Sequence, residues 1–365
     1  MIREHSIVAV VAVLATIGCV AGFMLDPAAL MLGWLVAAFT VTSMSAGALG
    51  VLMFTYVVRG QWTDGMHRPL TAAAMTLPLS GLLFVPVLVA PSIIYPWASH
   101  AAGGVVSFKD IWLTPWFFAL RTVIYFAVWI ALSLWLRAAW RRPERMMVSA
   151  CVGLIVYALT ASIAGIDWLE SLTPKFHSSV YGLMVLTFQL LAGFTFALVI
   201  VVRRPGAPTG SYGAILLSVL MMWAYNHAMQ YIIIWAGNVP EEVIWYESRE
   251  QGAWGVLFLL LIVAQFVLPF FALLSSRVRN GRGAIVSLAA LTLVMRFVEA
   301  AVLAMPERVG DLHGLWLSAT AAMLLAGAIW WMAFAAVDRR LAPHDLKPLE
   351  DDAFDASGSP VPRGS

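Results

Sequence analysis

The chain has 365 residues, of which 61% are hydrophobic and only 12% charged, with a formal net charge of +2 and a mean hydropathy of +0.86. A soluble domain carries roughly 25% charged residues, so this composition excludes a soluble protein and makes no electrostatic case for a nucleic-acid partner. The apolar runs are mostly long enough for an α-helix to cross about 30 Å of hydrocarbon, whereas barrel strands would be about ten residues with alternation, so the fold class is all-α integral membrane.

Ten spans are expected, at about 7–25, 28–57, 70–95, 114–137, 146–166, 179–202, 211–237, 252–274, 284–304 and 314–337. Arg3 before the first run imitates a signal peptide, but no small-residue cleavage site with a polar mature domain follows, so it is read as a span. In the second, Ser43, Gly47 and Gly50 allow close helix contact. Pro91 and Pro269 predict bends in the third and eighth. Cys19 and Cys151 fall within spans as small packing residues, and no His/Cys cluster, Walker loop or dinucleotide fingerprint is present.

Between the fifth and sixth spans stands a polar knot, IDWLESLTPKFHSSVYG, with Asp167, Glu170, Lys175 and His177 close together. Ser178 or Ser179 as helix cap and Pro174 as breaker explain part of it. Asp167 is different, because Ile166, Trp168 and Leu169 place its carboxylate at the membrane margin. There it is either a proton carrier or, if Lys175 or His177 pairs with it permanently, a structural clamp.

The most costly polar cluster runs from Trp223 to Trp254, around which the other helices are read as a wall. Tyr225, Asn226, His227, Gln230 and Tyr231 interrupt an apolar span, and Glu241, Glu242, Glu247 and Glu250 follow in the loop. Polar groups at membrane depth cost a few kcal/mol unless they face protein or water. At 3.6 residues per turn, His227, Gln230 or Tyr231, Trp235 and Asn238 share one face, as if lining a cavity. Of the seven histidines only His227 lies well within a span, which argues against a bis-histidine haem. Two further charges lie at membrane depth: Arg121 in the fourth span, and Arg296 with Glu299 in the ninth, the latter read as a buried ion pair fixing helix packing. Trp62, Trp97, Trp112 and Trp245 read as interfacial anchors.

Lysine and arginine are unequally shared. The N-terminus, 58–69, 137–145, 203–210, 275–283 and the tail up to Lys347 hold fifteen; the opposite loops hold four, Lys109, Lys175, Arg249 and Arg308. By the positive-inside rule both termini are cytoplasmic and the Glu241–Glu242 loop external.

The segments QWTDGMHRPL, IIYPWA, KDIWLTPWFFALRTVIYFAVW, DWLESLTPKFHSSVYG, IIIWAGNVPEEVIWYESREQGAWG, LPFFALLSSRVRN and VGDLHGLW resemble, in that order, the second large quinol-oxidoreductase membrane subunit (ActF) of bacterial alternative complex III, within the polysulfide-reductase-like (NrfD-like) membrane proteins. The resemblance covers about residues 55–320 and is most specific over Trp235 to Trp245 and Asp167 to Gly182. It implies ten transmembrane helices in two four-helix bundles: a flanking helix over 1–27, bundles over 28–166 and 167–304, and a second flanking helix over 305–341. It implies a multi-pass protein of the bacterial inner membrane that binds no redox cofactor itself. Quinol is its possible substrate, beside lipid, a sister NrfD-like membrane subunit, an external iron–sulfur subunit and c-type cytochrome subunits, with iron–sulfur clusters and haem c in those partners. The implied role is proton conduction or coupling, or a quinone-facing cavity. Glu170, Thr173 and Lys175 depart from the family's Met, Glu and His, and Asn226 and His227 stand where Ser and Gln are expected.

Three functions follow for comparison. In the first, Asp167, His177, His227, Tyr231, Glu241 and Glu242 form or border a cavity that moves protons or docks a quinone head group, because quinol oxidation releases two protons with its two electrons and needs nearby acceptors. The second is a transporter, though no matched pair of interrupted helices is visible in the two halves. The third is a membrane anchor for a partner redox enzyme. The acidic stretch 342–356 reads as a mobile tail, and SGSPVPRGS at 357–365 as the remnant of a cleavable tag.

Overall fold

A computed structural model of the chain describes residues 2–99, 111–139, 143–306 and 312–341. The acidic tail, the tag-like segment, and Lys109, Arg308 and Lys347 among the residues named above lie outside them. Every regular element among the described residues is helical. Nine stretches there are long and apolar enough to cross a membrane, making this an all-α, multi-pass membrane protein.

In chain order the elements are α1 (Ile2–Leu25), α2 (Pro27–Val57), α3 (Thr63–Ala74), α4 (Leu77–Val89), the short α5 (Pro91–Ile94), α6 (Pro115–Ala139), α7 (Pro143–Trp168), α8 (Tyr181–Val201), α9 (Thr209–Gly237), α10 (Pro240–Glu250), α11 (Gly252–Ile262), α12 (Leu268–Leu274), the short α13 (Ser276–Asn280), α14 (Arg282–Ala304) and α15 (Leu312–Arg340). Nine falls short of the ten expected at one place. The seventh expected span is present as α9, a helix of 29 residues, but it is not among the nine. Asn226, His227 and Gln230 hold its hydropathy down, so the groups that single it out also disguise it.

Prolines set the interruptions. Pro78 has no N–H to offer the carbonyl of Ala74, and the chain breaks between α3 and α4; there the Thr76 hydroxyl donates to the Ala73 carbonyl at 2.6 Å. Pro269 likewise cannot donate to Gln265, and the turn before it widens into a π-helix, Val263–Val267, whose closing bond runs from Leu268 N–H to the Val263 carbonyl. Pro91 opens α5 after the helix ends at Ala90.

Helix α2 lies at the centre. Its apolar stretch is wholly buried inside the protein, as expected for a helix hydrophobic on every face. Asp26 caps its start by accepting from the N–H groups of Ala28 and Ala29, both at 3.0 Å. Around it α3 and α4, α6 and α7 form one packed group; α8, α9, the α11–α12 stretch and α14 form another; α1 and α15 pack together on its flank. The two groups meet where α2 crosses α8. A β carbon on Gly47 would lie 1.7 Å from the Gln189 carbonyl oxygen, and one on Gly193 would lie 2.2 Å from the Ala48 nitrogen, so the two backbones touch. Gly193→Ala should cost about 1–3 kcal/mol through forced helix separation, read as a lower thermal unfolding midpoint in detergent.

Polar pins fix the flanking helix. The Ser45 hydroxyl accepts from Trp330 Nε1 at 2.8 Å and lies 2.8 Å from Thr76 Oγ1, and Arg68 pairs with Asp338 at 2.8 Å. Helix α10 turns aside between Asn238 (φ 47°) and Gly252 (φ 57°), both in the left-handed region that Asn and Gly tolerate.

Candidate functional site

Two buried carboxylates, one in each packed group, organise the polar interior. Asp167, at the end of α7, is fully buried. Its Oδ1 accepts from Arg121 Nη2 and Trp112 Nε1, both at 2.9 Å, and its Oδ2 from Arg121 Nε at 2.8 Å and the Tyr125 hydroxyl at 2.6 Å. Four donors fill the roughly four acceptor positions of a carboxylate. The remaining Arg121 nitrogen donates to the Trp112 carbonyl at 2.8 Å, and the guanidinium lies 4.0 Å from the Trp112 ring centroid. The partner is therefore neither Lys175 nor His177, both of which are exposed, and the arrangement is that of a clamp. Arg121 reaches Asp167 because α6 and α7 pack side by side.

A cavity of about 470 Å³ opens beside this clamp, lined by Trp112, Ile163, Asp167, Glu170, Phe176 and His177 among others. Glu170 is buried and accepts the Ser178 N–H at 2.9 Å, tying the loop back on itself. The Ser178 hydroxyl in turn donates to Gln230 Oε1 at 3.1 Å, which links this loop to α9.

The second carboxylate is Glu299 on α14, 1% exposed. Trp223 Nε1 is 3.0 Å from each of its oxygens, Arg296 Nη1 is 2.6 Å from Oε2, and His227 Nε2 is 3.2 Å from Oε1, close enough to pair although not aligned as a hydrogen bond. The other imidazole nitrogen, Nδ1, lies 3.0 Å from the Trp223 carbonyl. Trp223 and His227 are one turn apart on α9, and their rings lie 4.2 Å apart between centroids. Arg296, fully buried, packs its guanidinium 4.9 Å from the centroid of Phe188.

His227 and Glu299 open onto a cavity of about 480 Å³ walled by Met184, Trp223, Tyr231, Trp245, Tyr246, Glu250, Phe258, Phe266 and their neighbours, within the range of small-molecule sites. Helix α10 roofs it. Trp245 stacks on Phe176, with centroids 4.8 Å apart and planes 16° from parallel. As Phe176 lines the first cavity and Trp245 the second, this pair of rings is a shared partition. Arg249, also fully buried, locks the roof by donating to the carbonyls of Val302 (3.0 Å) and Leu303 (2.9 Å) at the end of α14 and of Trp245 (2.7 Å), where a cation also suits the helix dipole. Burial pushes the Tyr246 phenol up from its ordinary range, so this roof group stays protonated.

The six residues singled out from sequence thus divide. His227 and Tyr231 line the second cavity, and Asp167 and His177 the first; Glu241 and Glu242 line neither. Those two glutamates occupy the first turn of α10, where carboxylates suit the positive end of a helix. The expected single polar face on α9 fans out instead: Asn226 and Gln230 are buried, Asn226 donating to Thr187 Oγ1 at 2.7 Å, while Trp235 is 72% exposed. Of the expected interfacial anchors, Trp245 is buried against Arg249 and Trp112, half-buried, packs on Arg121. Sequence reasoning also missed Glu299 and Trp223 as site residues. The signal for Glu299 was there, a carboxylate at membrane depth three residues from an arginine. Gln265, buried in the π-helical turn, has no protein partner for either amide atom among the described residues, the kind of place ordered water occupies.

Among the described residues no three His, Cys, Asp or Glu side chains gather as metal ligands. No protein-family model matches the chain, and no curated protein matches it.

Proposed function

We propose that this chain is a membrane subunit of a bacterial quinol-oxidising complex of the alternative complex III kind, and that the His227–Glu299 wall of the second cavity exchanges protons with a quinone-sized ligand. The observation that carries this reading is one of chemistry in place: an imidazole and a carboxylate 3.2 Å apart form a titratable patch on a cavity otherwise largely aromatic and aliphatic. Oxidation of a quinol must deliver two protons to acceptors within hydrogen-bond reach. Aromatic walls suit the ring, and the patch suits its hydroxyls. Electrons go to iron–sulfur and c-type haem centres in partner subunits, beside a sister membrane subunit. The lysine and arginine bias supports cytoplasmic termini in an inner membrane, which puts α10 and the cavity roof on the external side. The sequence resemblance over about residues 55–320 is the second support.

A transporter is the second reading: the interruptions at 75–76 and 263–267 fall in the third and eighth expected spans, the same position in each half when ten spans are divided five and five, but they are not corresponding positions of the two packed groups.

The test is purification of the full chain from native membranes, with a reduced-minus-oxidised spectrum, mass spectrometry of co-purifying chains and a quinol-oxidation assay. A c-type haem spectrum with an iron–sulfur subunit is expected, and His227→Leu should slow turnover by roughly 10²-fold, the effect of losing a general acid–base group. A colourless protein isolated alone refutes the reading. Unchanged turnover in His227→Leu with Tyr231→Phe leaves only an anchoring role.

A further inference from the structure

The His227 ring faces two groups that can only accept. Nδ1 lies 3.0 Å from the Trp223 carbonyl oxygen, which has no proton to give, and Nε2 lies 3.2 Å from Glu299 Oε1. A neutral imidazole carries one N–H and one lone pair. Either tautomer satisfies one side and turns a lone pair toward an acceptor on the other. One more proton is needed, on Nε2 or on Glu299.

The surroundings of Glu299 decide between them. Trp223 Nε1 is 3.0 Å from both carboxylate oxygens and the Arg296 guanidinium approaches Oε2 at 2.6 Å, though not aligned as a hydrogen bond, so an N–H donor and a cation already face the carboxylate. A proton on Glu299 would oppose both; a proton on Nε2 meets the carboxylate, with a second positive charge near Arg296 as its cost. We propose that His227 is held as an imidazolium, so that His227 and Glu299 form a one-proton store on the cavity wall, with Trp223 as the positioning residue that fixes both.

Trp223 acts on the two partners at once: its indole N–H holds Glu299, its carbonyl takes the Nδ1 proton, and its ring lies against the imidazole face at 4.2 Å between centroids, where an aromatic face favours a cation. The remaining charged or titratable groups on the cavity are Tyr231, Tyr246 and Glu250; Arg296 lies behind Glu299, and the lining residues of α8 and of the α11–π stretch, Met184, Phe258, Leu261, Ile262 and Phe266, carry no charge.

Loaded, the cluster of Arg296, His227 and Glu299 carries one net positive charge but has each ring nitrogen facing an acceptor with a proton. Unloaded, it is electrically neutral but turns a bare nitrogen toward a carboxylate. Each state relieves what burdens the other, which is what a reversible store requires. In the loading step one proton passes from a donor in the cavity, a water or a hydroxylated ring, to Nε2, and the donor keeps the electron pair of its O–H bond; in unloading the same proton leaves Nε2 for a cavity base. As an account of how the cavity handles protons this rests on the function proposed above; the proton count rests on the distances from the two ring nitrogens to the Trp223 carbonyl and the Glu299 carboxylate.

The deciding experiment is nitrogen-15 nuclear magnetic resonance of the full chain, labelled at histidine and embedded in lipid bilayers at neutral pH, with His227→Gln identifying the signals. Two protonated ring nitrogens are expected for His227, and Glu299→Gln should remove the imidazolium pattern. A single-N–H, neutral ring in the unsubstituted protein overturns the inference, and that measurement decides alone should Glu299→Gln fail to fold. An imidazolium that persists unchanged in a folded Glu299→Gln overturns the pairing. An imidazolium in a protein whose His227→Leu variant oxidises quinol at full rate would leave this inference standing and remove the proposed function instead.

Discussion

Arg121→Leu should destabilise the protein by roughly 3–5 kcal/mol, the cost of stranding one member of a buried ion pair. The loss would be local in origin. Asp167 is 0% exposed and would retain only Trp112 Nε1 and the Tyr125 hydroxyl as donors, two neutral hydrogen bonds against a full buried charge. Arg121→Lys should recover part of the loss but not all, since one ammonium cannot supply both the two-pronged contact to Asp167 and the bond to the Trp112 carbonyl. Replacing both partners, Arg121→Leu with Asp167→Leu, removes the stranded charge and leaves unmet the Trp112 and Tyr125 donors and the Trp112 carbonyl, at about 1–3 kcal/mol each when buried. The thermal unfolding midpoint in detergent orders these variants: unsubstituted highest, then lysine, with the single leucine variant lowest if the clamp reading is right. A single leucine variant as stable as the parent would mean that Asp167 is already protonated in the fold, and would return it to the proton-carrier role.

How far the sequence reached depended on whether the relevant partners were neighbours along the chain. Gly47 and Gly50 were legible as close-approach positions because small residues inside an apolar helix have few other uses, and Pro269 was legible as a distortion because a missing N–H acts within one turn. The cluster at Asn226, His227 and Gln230 was legible because polar groups stand out against an apolar run. Partnerships across helices were not. Asp167 invited pairing with Lys175 or His177, a few residues away, whereas Arg121 lies 46 residues earlier on another helix. Periodicity says that a helix has a face; it does not say which helix the face meets. Arg296 and Glu299 were legible as a pair by their spacing, yet the imidazole that gives the pair a chemical use comes from α9, and Trp223, which joins them, is 76 residues from Glu299. For the same reason tryptophans near helix ends looked like membrane anchors: only the packed structure shows Trp112 and Trp245 carrying buried guanidinium groups.

Arg296→Met tests the second ion pair, and here stability and function should part. The single variant strands Glu299 against His227 and the Trp223 indole, and a loss of roughly 3–5 kcal/mol is again expected. The loss should be smaller than that for Arg121→Leu, because the His227 imidazolium remains as a counter-charge to Glu299 at 3.2 Å, whereas Asp167 would be left with neutral donors alone. Replacing both, Arg296→Met with Glu299→Met, takes two charges out of the interior and leaves the Trp223 N–H and His227 Nε2 without an acceptor, so folding should return most of the way toward the parent. Quinol oxidation by the intact complex should not return with it. With Glu299 gone, His227 loses the carboxylate that holds its second proton, and turnover should fall by roughly the 10²-fold expected for His227→Leu. A stable, fully active double variant would show that the pair only fixes helix packing, as its i,i+3 spacing alone implied, and that His227 handles protons without it. A stable but slow one would separate the two roles: Arg296 keeps Glu299 ionised and buried, and Glu299 keeps the imidazole charged at the edge of the cavity.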